Sequence, residues 1–144
     1  MDHQHHQIDM QYPVKIILAW GEAISGNEEI RDWLIKNGYP ELGLFSYALR
    51  NKQDARDWLM ENKFPHLMAL INATEGLAEA RKWLQQHQFQ LLLLIALSAD
   101  NDDNALEELK KLPQKEWAMI ALKIRAIKNR IESENNDIHK ISPE

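Results

Sequence analysis

The chain has 144 residues, no cysteine, five tryptophans and a formal net charge of −5. Its 44% hydrophobic and 27% charged residues suit one globular domain with a real core rather than a disordered chain. Zero cysteine removes disulfides, Fe–S clusters, thiolate zinc sites and cysteine nucleophiles, and the longest dense apolar run, 91–97, is too short to span a bilayer. The polar N-terminus lacks the basic-then-apolar order of a signal peptide, so a cytoplasmic protein is expected by elimination.

In chain order, residues 1–12 read as a flexible polar N-terminus. Helices are predicted over 13–25, 27–37, 40–50, 52–62, 65–74, 77–87, 89–99, 103–111 and 114–133. The last is longer and is read as departing from the pattern before it, and the polar stretch 134–144 is read as an irregular tail. No segment alternates with period two, so no sheet is expected.

The pattern is an internal repeat. Arg31-Asp32-Trp33-Leu34, Arg56-Asp57-Trp58-Leu59 and Arg81-Lys82-Trp83-Leu84 recur at a spacing of 25. Tyr39, Phe64 and Phe89 follow in register, as do Leu42, Leu67 and Leu92, then Phe45, Leu70 and Ile95. Ala105-Leu106-Glu107-Glu108-Leu109 is a degenerate fourth copy. Each unit holds two short helical patterns. Pro40 and Pro65 open the first helix of a pair, and Gly26, Asn51, Gly76 and Asn101 fall at the turn to the second. Helices this short are marginal in water and must be stabilised by their neighbours. The expected fold is all-α: a right-handed α-α superhelix, or solenoid, of about four to five helical hairpins over residues 13–133, with a longer C-terminal helix.

Pro65-His66-Leu67-Met68-Ala69-Leu70, then Glu75-Gly76 and Ala80-Arg81-Lys82-Trp83-Leu84, resembles the helix–turn–helix part of ankyrin repeats. The period is about eight residues short of theirs, leaving no room for the β-hairpin finger, and the Thr-Pro-Leu-His signature is absent. The tetratricopeptide signature is absent too. The resemblance is to short α-helical repeats as a class, and it implies protein binding.

Four groups of residues are candidate sites. Trp33, Trp58 and Trp83 sit at core phase and read as large fillers between repeats, so that Trp58→Ala would cost about 3–5 kcal/mol. Arg31, Arg56 and Arg81 should form a ladder on one flank. It serves either as a cationic strip for an anionic partner or as stems over the tryptophans, with Asp57, Glu28 and Asp54 as acid partners. The first helix of each pair is apolar on its outward side as well, at Leu44, Ala69 and Leu94 and beside them at Tyr47, Asn72 and Leu97. Such a helix meets a partner peptide, the last helix folded over it, or a second copy of the chain in a homodimer. His3, His5 and His6 form an H-x-H-H cluster without a completing ligand set, so no metal or other cofactor is expected.

The basic residues Lys123, Arg125, Lys128 and Arg130 of the last helix could contact phosphates. The acidic remainder of the chain and the lack of interleaved aromatics weigh against nucleic acid. No Gly-rich phosphate loop, H-E-x-x-H, G-x-S-x-G or dinucleotide fingerprint is present. The sequence reads as a non-catalytic binder of a protein or peptide. The alternatives are a nucleic-acid-binding domain and an enzyme of unrecognised type.

Overall fold

The structure, a computed structural model, describes residues 10–141. Among them are nine helices and no strand: α1 Val14–Ile24, α2 Glu28–Lys36, α3 Pro40–Leu49, α4 Gln53–Glu61, α5 Pro65–Thr74, α6 Ala78–Gln86, α7 Gln90–Ala99, α8 Asp103–Lys110 and α9 Glu116–Ile141. The even-numbered helices α2, α4, α6 and α8 begin at 28, 53, 78 and 103, which is the sequence period carried into the backbone. The turns repeat with it. Gly26, Asn51, Gly76 and Asn101 all have positive φ, as do Gly38, Lys63 and Gln88 at the other end of each pair. The second set shows that the fold demands a left-handed residue there even where the sequence offers lysine or glutamine.

The two helices of a pair have different jobs. The odd-numbered α1, α3, α5 and α7 bury half or more of their residues, and the even-numbered ones are buried along one stripe, such as Ala55 with Leu59 and Ala80 with Leu84. Trp20, Phe45, Leu70 and Ile95 are each fully buried at one position of α1, α3, α5 and α7. Trp20 meets Phe45 edge-on at 5.1 Å, joining consecutive odd helices.

The last helix corrects the sequence reading twice. Its N-terminal half does not depart from the repeat. Ile120 is fully buried at the position after Ile95, Trp117 follows Leu92, and Ile124 follows Ala99. α9 is thus a fifth odd helix, and it packs against both α7 and α1. Contacts run from α1 to α3, α5, α7, α9 and back to α1, so the two ends of the chain of helices meet. At that seam Lys123 Nζ donates to Ser25 Oγ at 2.9 Å, and Met119 packs over Gly21, where an added Cβ would lie 2.8 Å from its sulfur. Second, the helix runs on past 133 to Ile141, since neither glycine nor proline interrupts the chain before Pro143.

At the other end, Met10 and Tyr12 lie partly buried against the core, and Tyr12 Oη donates to the buried Glu41 carboxylate at 2.7 Å. The His3, His5 and His6 cluster lies outside the described residues.

Candidate functional site

The tryptophans are not central in the core: Trp58 and Trp83 pack against its edge and Trp33 lies outside it. Trp33 is 48% exposed, and Trp58 and Trp83 are partly exposed. Burial at that level of the even helices falls instead to Leu34, Leu59 and Leu84, one residue further on. The periodicity placed tryptophan and leucine on one stripe, but a short helix with one packed side buries only its centre, and the larger ring is left at the edge. Two of the rings stack on the aromatic that opens the next pair. Trp58 stacks on Phe64 at 5.9 Å and 9°, and Trp83 on Phe89 at 5.7 Å and 7°. His87 also stacks on Trp83, at 4.1 Å.

Trp58 and Trp83 each line a recurring concavity. One of about 400 Å³ is lined by Leu44, Tyr47, Lys52, Asp54, Ala55 and Trp58. Another of about 250 Å³ includes Ala69, Asn72, Leu77, Glu79, Ala80 and Trp83. Residue for residue, the second set is the first shifted by one repeat of 25. Met60, 55% exposed on α4, lines the second concavity and links the two into a strip, and Leu77 adds a further exposed apolar side chain. A third concavity contains the preceding equivalents Ala19, Glu22 and Ile30, but there Met119 and Lys123 of α9 form part of the wall. Leu44 and Tyr47 thus lie in one concavity and Ala69 and Asn72 in the next, whereas Leu94 and Leu97 line neither.

Of those residues, Leu44, Tyr47 and Asn72 are half-buried and Ala69 is buried. Leu94 and Leu97 are also half-buried, with α9 joined to their helix through Ser98, Asp100 and Asn101 near its C-terminal end. Trp58, Trp83, Met60 and Leu77 are the lining residues that the sequence reading missed as surface. The usable signal was the aromatic eight residues after each arginine, Phe64 or Phe89, which gives the ring a stacking partner at the edge of the core.

The arginine ladder forms, and most of it is occupied. Arg56 Nε donates to Ala48 O at 3.0 Å and its Nη2 to Glu75 at 3.1 Å. Arg81 repeats this with Ala73 O at 3.2 Å and Asp100 at 2.6 Å. Each guanidinium caps the C-terminal carbonyls of its own odd helix and clamps the carboxylate at the end of the next. The acids are Glu75 and Asp100, not Asp57, Glu28 or Asp54. Asp57 instead accepts from Gln53 at 2.8 Å. Where the next even helix, α8, carries Leu106 in place of arginine, Arg125 of α9 substitutes: its Nε donates to Ser98 O at 2.8 Å and its Nη2 to Asp103 at 3.0 Å.

The basic residues of α9 are largely committed as well. Lys128, 8% exposed, bonds Asp100 at 2.8 Å and Glu132 at 3.0 Å. Burial works against its charge, but the hydrogen bonds to Asp100 and Glu132 outweigh it and hold its pKa above the ordinary lysine value. Lys123 faces Ser25 and Glu22. Of the four cations, Arg130 alone lacks a partner among the described residues. His66 stacks on Phe89 at 5.4 Å within the core, and burial pushes its pKa down to about 4.

Among the described residues no group of three histidine, aspartate or glutamate side chains is placed to hold a metal ion, and no helix is long and apolar enough to cross a membrane. No protein-family model matches the chain, and neither a curated protein nor a solved structure matches it.

Proposed function

We propose that this chain is a non-catalytic helical-repeat protein, built of four helical hairpins and a fifth odd helix, that binds a peptide segment of a partner protein. The strip between Leu44–Trp58 and Ala69–Trp83 is the binding surface. The observation that carries this reading is the recurrence of one apolar concavity at a 25-residue period, walled each time by a tryptophan whose ring is held in place by stacking. Rigid aromatics at the edge of a concavity are the anchor type favoured at interfaces. A repeat that presents the same pocket twice suits a ligand with two spaced apolar side chains.

The rim charge narrows the occupant. Asp54 and Glu79 stand at equivalent places beside the two pockets, with Lys52 beside the first alone, and the whole chain carries −5. The peptide that fits has apolar anchors flanked by lysine or arginine.

The test is selection of displayed peptides on the intact protein, followed by binding measurements on Leu44→Asp and Trp83→Ala. Enriched sequences with spaced apolar and basic residues that lose at least tenfold in affinity on either variant support the reading. Peptides that bind both variants as they bind the parent refute it. The nucleic-acid alternative has less support, because Lys123, Arg125 and Lys128 are engaged within the chain.

A further inference from the structure

The arginine ladder is broken at its first rung. In the intact rungs the carboxylate stands 19 residues after the arginine, Glu75 after Arg56 and Asp100 after Arg81. Nineteen residues after Arg31 stands Arg50. A cation occupies the place of the acid. Arg50 turns to the helix ends instead, donating Nη2 to Ile24 O at 2.8 Å and Nη1 to Ser46 O at 3.2 Å.

Arg31 shows the consequence. Its guanidinium carbon lies 4.3 Å from the centre of the Tyr47 ring, one turn before Arg50 on the same helix. Its Nε, which in the other rungs donates to a helix-end carbonyl, is buried without a hydrogen-bond acceptor. The carboxylate beside it is that of its own neighbour Asp32, at 3.5 Å on an exposed side chain. On α9, Arg130 stands between Lys128 and Ile131, which line one concavity with Leu49 and Asn51, the chain neighbours of Arg50. After burial, Arg130 and Arg31 are the groups that disfavour the charge on Arg50. Three arginines thus converge where the repeat elsewhere has two opposite charges.

We propose that Arg31, Arg50 and Arg130 form a receptor for a carboxylate supplied from outside the chain, which takes the place that Glu75 and Asp100 fill in the intact rungs. The planar guanidinium fork matches a carboxylate in two hydrogen bonds, and neighbouring cations raise the local attraction for an anion. Filling the rung seats Arg31 as Arg56 and Arg81 are seated, with Nε on the end of its odd helix. The carboxylate comes from a small free acid or from an acidic side chain of a bound protein. The site stands whether or not the tryptophan strip takes a peptide.

The experiment follows the arginine Nε–Hε resonances of the full chain by NMR. Sodium succinate is added in one arm and the peptide Ac-Gly-Glu-Gly-NH2 in another, against sodium chloride at matched ionic strength. The expected result is a saturable shift of Arg31 Hε with half-saturation on the order of millimolar. That response should be absent in Arg31→Gln, weakened at least threefold in Arg130→Gln, and unchanged in Arg125→Gln, whose guanidinium already has its acid. Succinate alone binding assigns the site to a free acid, and the peptide binding as tightly assigns it to a partner's side chain. A shift that is linear, equal in chloride, or undiminished in Arg130→Gln overturns the proposal. Arg130 is exposed, so this last variant decides the matter even if Arg31→Gln fails to fold.

Discussion

Two glycines on odd helices give opposite outcomes for the same substitution. A Cβ at Gly43 would lie 2.6 Å from Ile35 Cγ1 and 2.9 Å from the Arg31 carbonyl oxygen. The first contact is a side chain and can yield, but the second is backbone, so α2 must move off α3. Overpacking of this kind costs about 2–3 kcal/mol. Replacing glycine by alanine inside a helix returns about 1 kcal/mol. Gly43→Ala should therefore destabilise by roughly 1–2 kcal/mol, which for a chain of this size is a drop of about 3–6 °C in Tm. At Gly21 the close atoms are Met119 Sδ at 2.8 Å and Lys123 Cδ at 3.1 Å, both on flexible side chains of α9. There the helix gain should offset the clash, and Gly21→Ala should be neutral or stabilising by up to about 1 kcal/mol. Urea titrations of both variants and of Gly43→Ala with Ile35→Ala decide it. The double variant relieves only the side-chain contact and should recover only part of the loss. A neutral Gly43→Ala, or equal losses at both sites, would show that α2 and α9 are not packed as described.

The other expectations are simpler to state. Trp20→Ala should cost about 3–5 kcal/mol, whereas Trp58→Ala, which loses a stacked ring already partly exposed, should cost about 1–2 kcal/mol; equal values in chemical denaturation would place Trp58 fully in the core. Lys63→Gly and Gln88→Gly should each stabilise by roughly 0.5–1 kcal/mol, because both hold positive φ, and a loss on either would contradict that backbone. His66 has its pKa lowered from 6.5 to about 4, so the unfolded chain takes up the proton first. Its contribution is intact above pH 6.5 and declines as pH falls from there toward 4, by roughly 2 kcal/mol at pH 5. A His66→Gln variant should lose that part of the pH dependence, and an unchanged slope would locate the effect elsewhere.

The repeat made most of the fold legible from sequence. Period, helix pairing and turn positions follow from residues that recur at fixed spacing, and Gly26, Asn51, Gly76 and Asn101 all take the left-handed conformation expected of a turn. What escaped lies where the repeat changes its residues while keeping its geometry. Ile120 and Trp117 continue columns that hold Trp20 and Ile17 in α1, but α9 has no following even helix with the Arg-x-Trp-Leu signature, so its membership shows only in burial. The tryptophans were misplaced because a shared stripe does not say which of two adjacent apolar residues is central and which is at the edge. The acids of the ladder were misassigned for a related reason. Glu75 and Asp100 lie 19 residues beyond their arginines, in the next helix pair, a separation that only stacking brings within 3.1 Å and 2.6 Å.

The five tryptophans are reporters placed by the chain itself. Their indole N–H resonances, recorded for the intact protein with a selected peptide, test the binding strip most directly. Trp58 and Trp83 should shift on saturation, while Trp20 and Trp117, buried in the ring of odd helices, should not. Saturable shifts confined to Trp33 or Trp117, with Trp58 and Trp83 unmoved, would contradict the assignment of function to the strip.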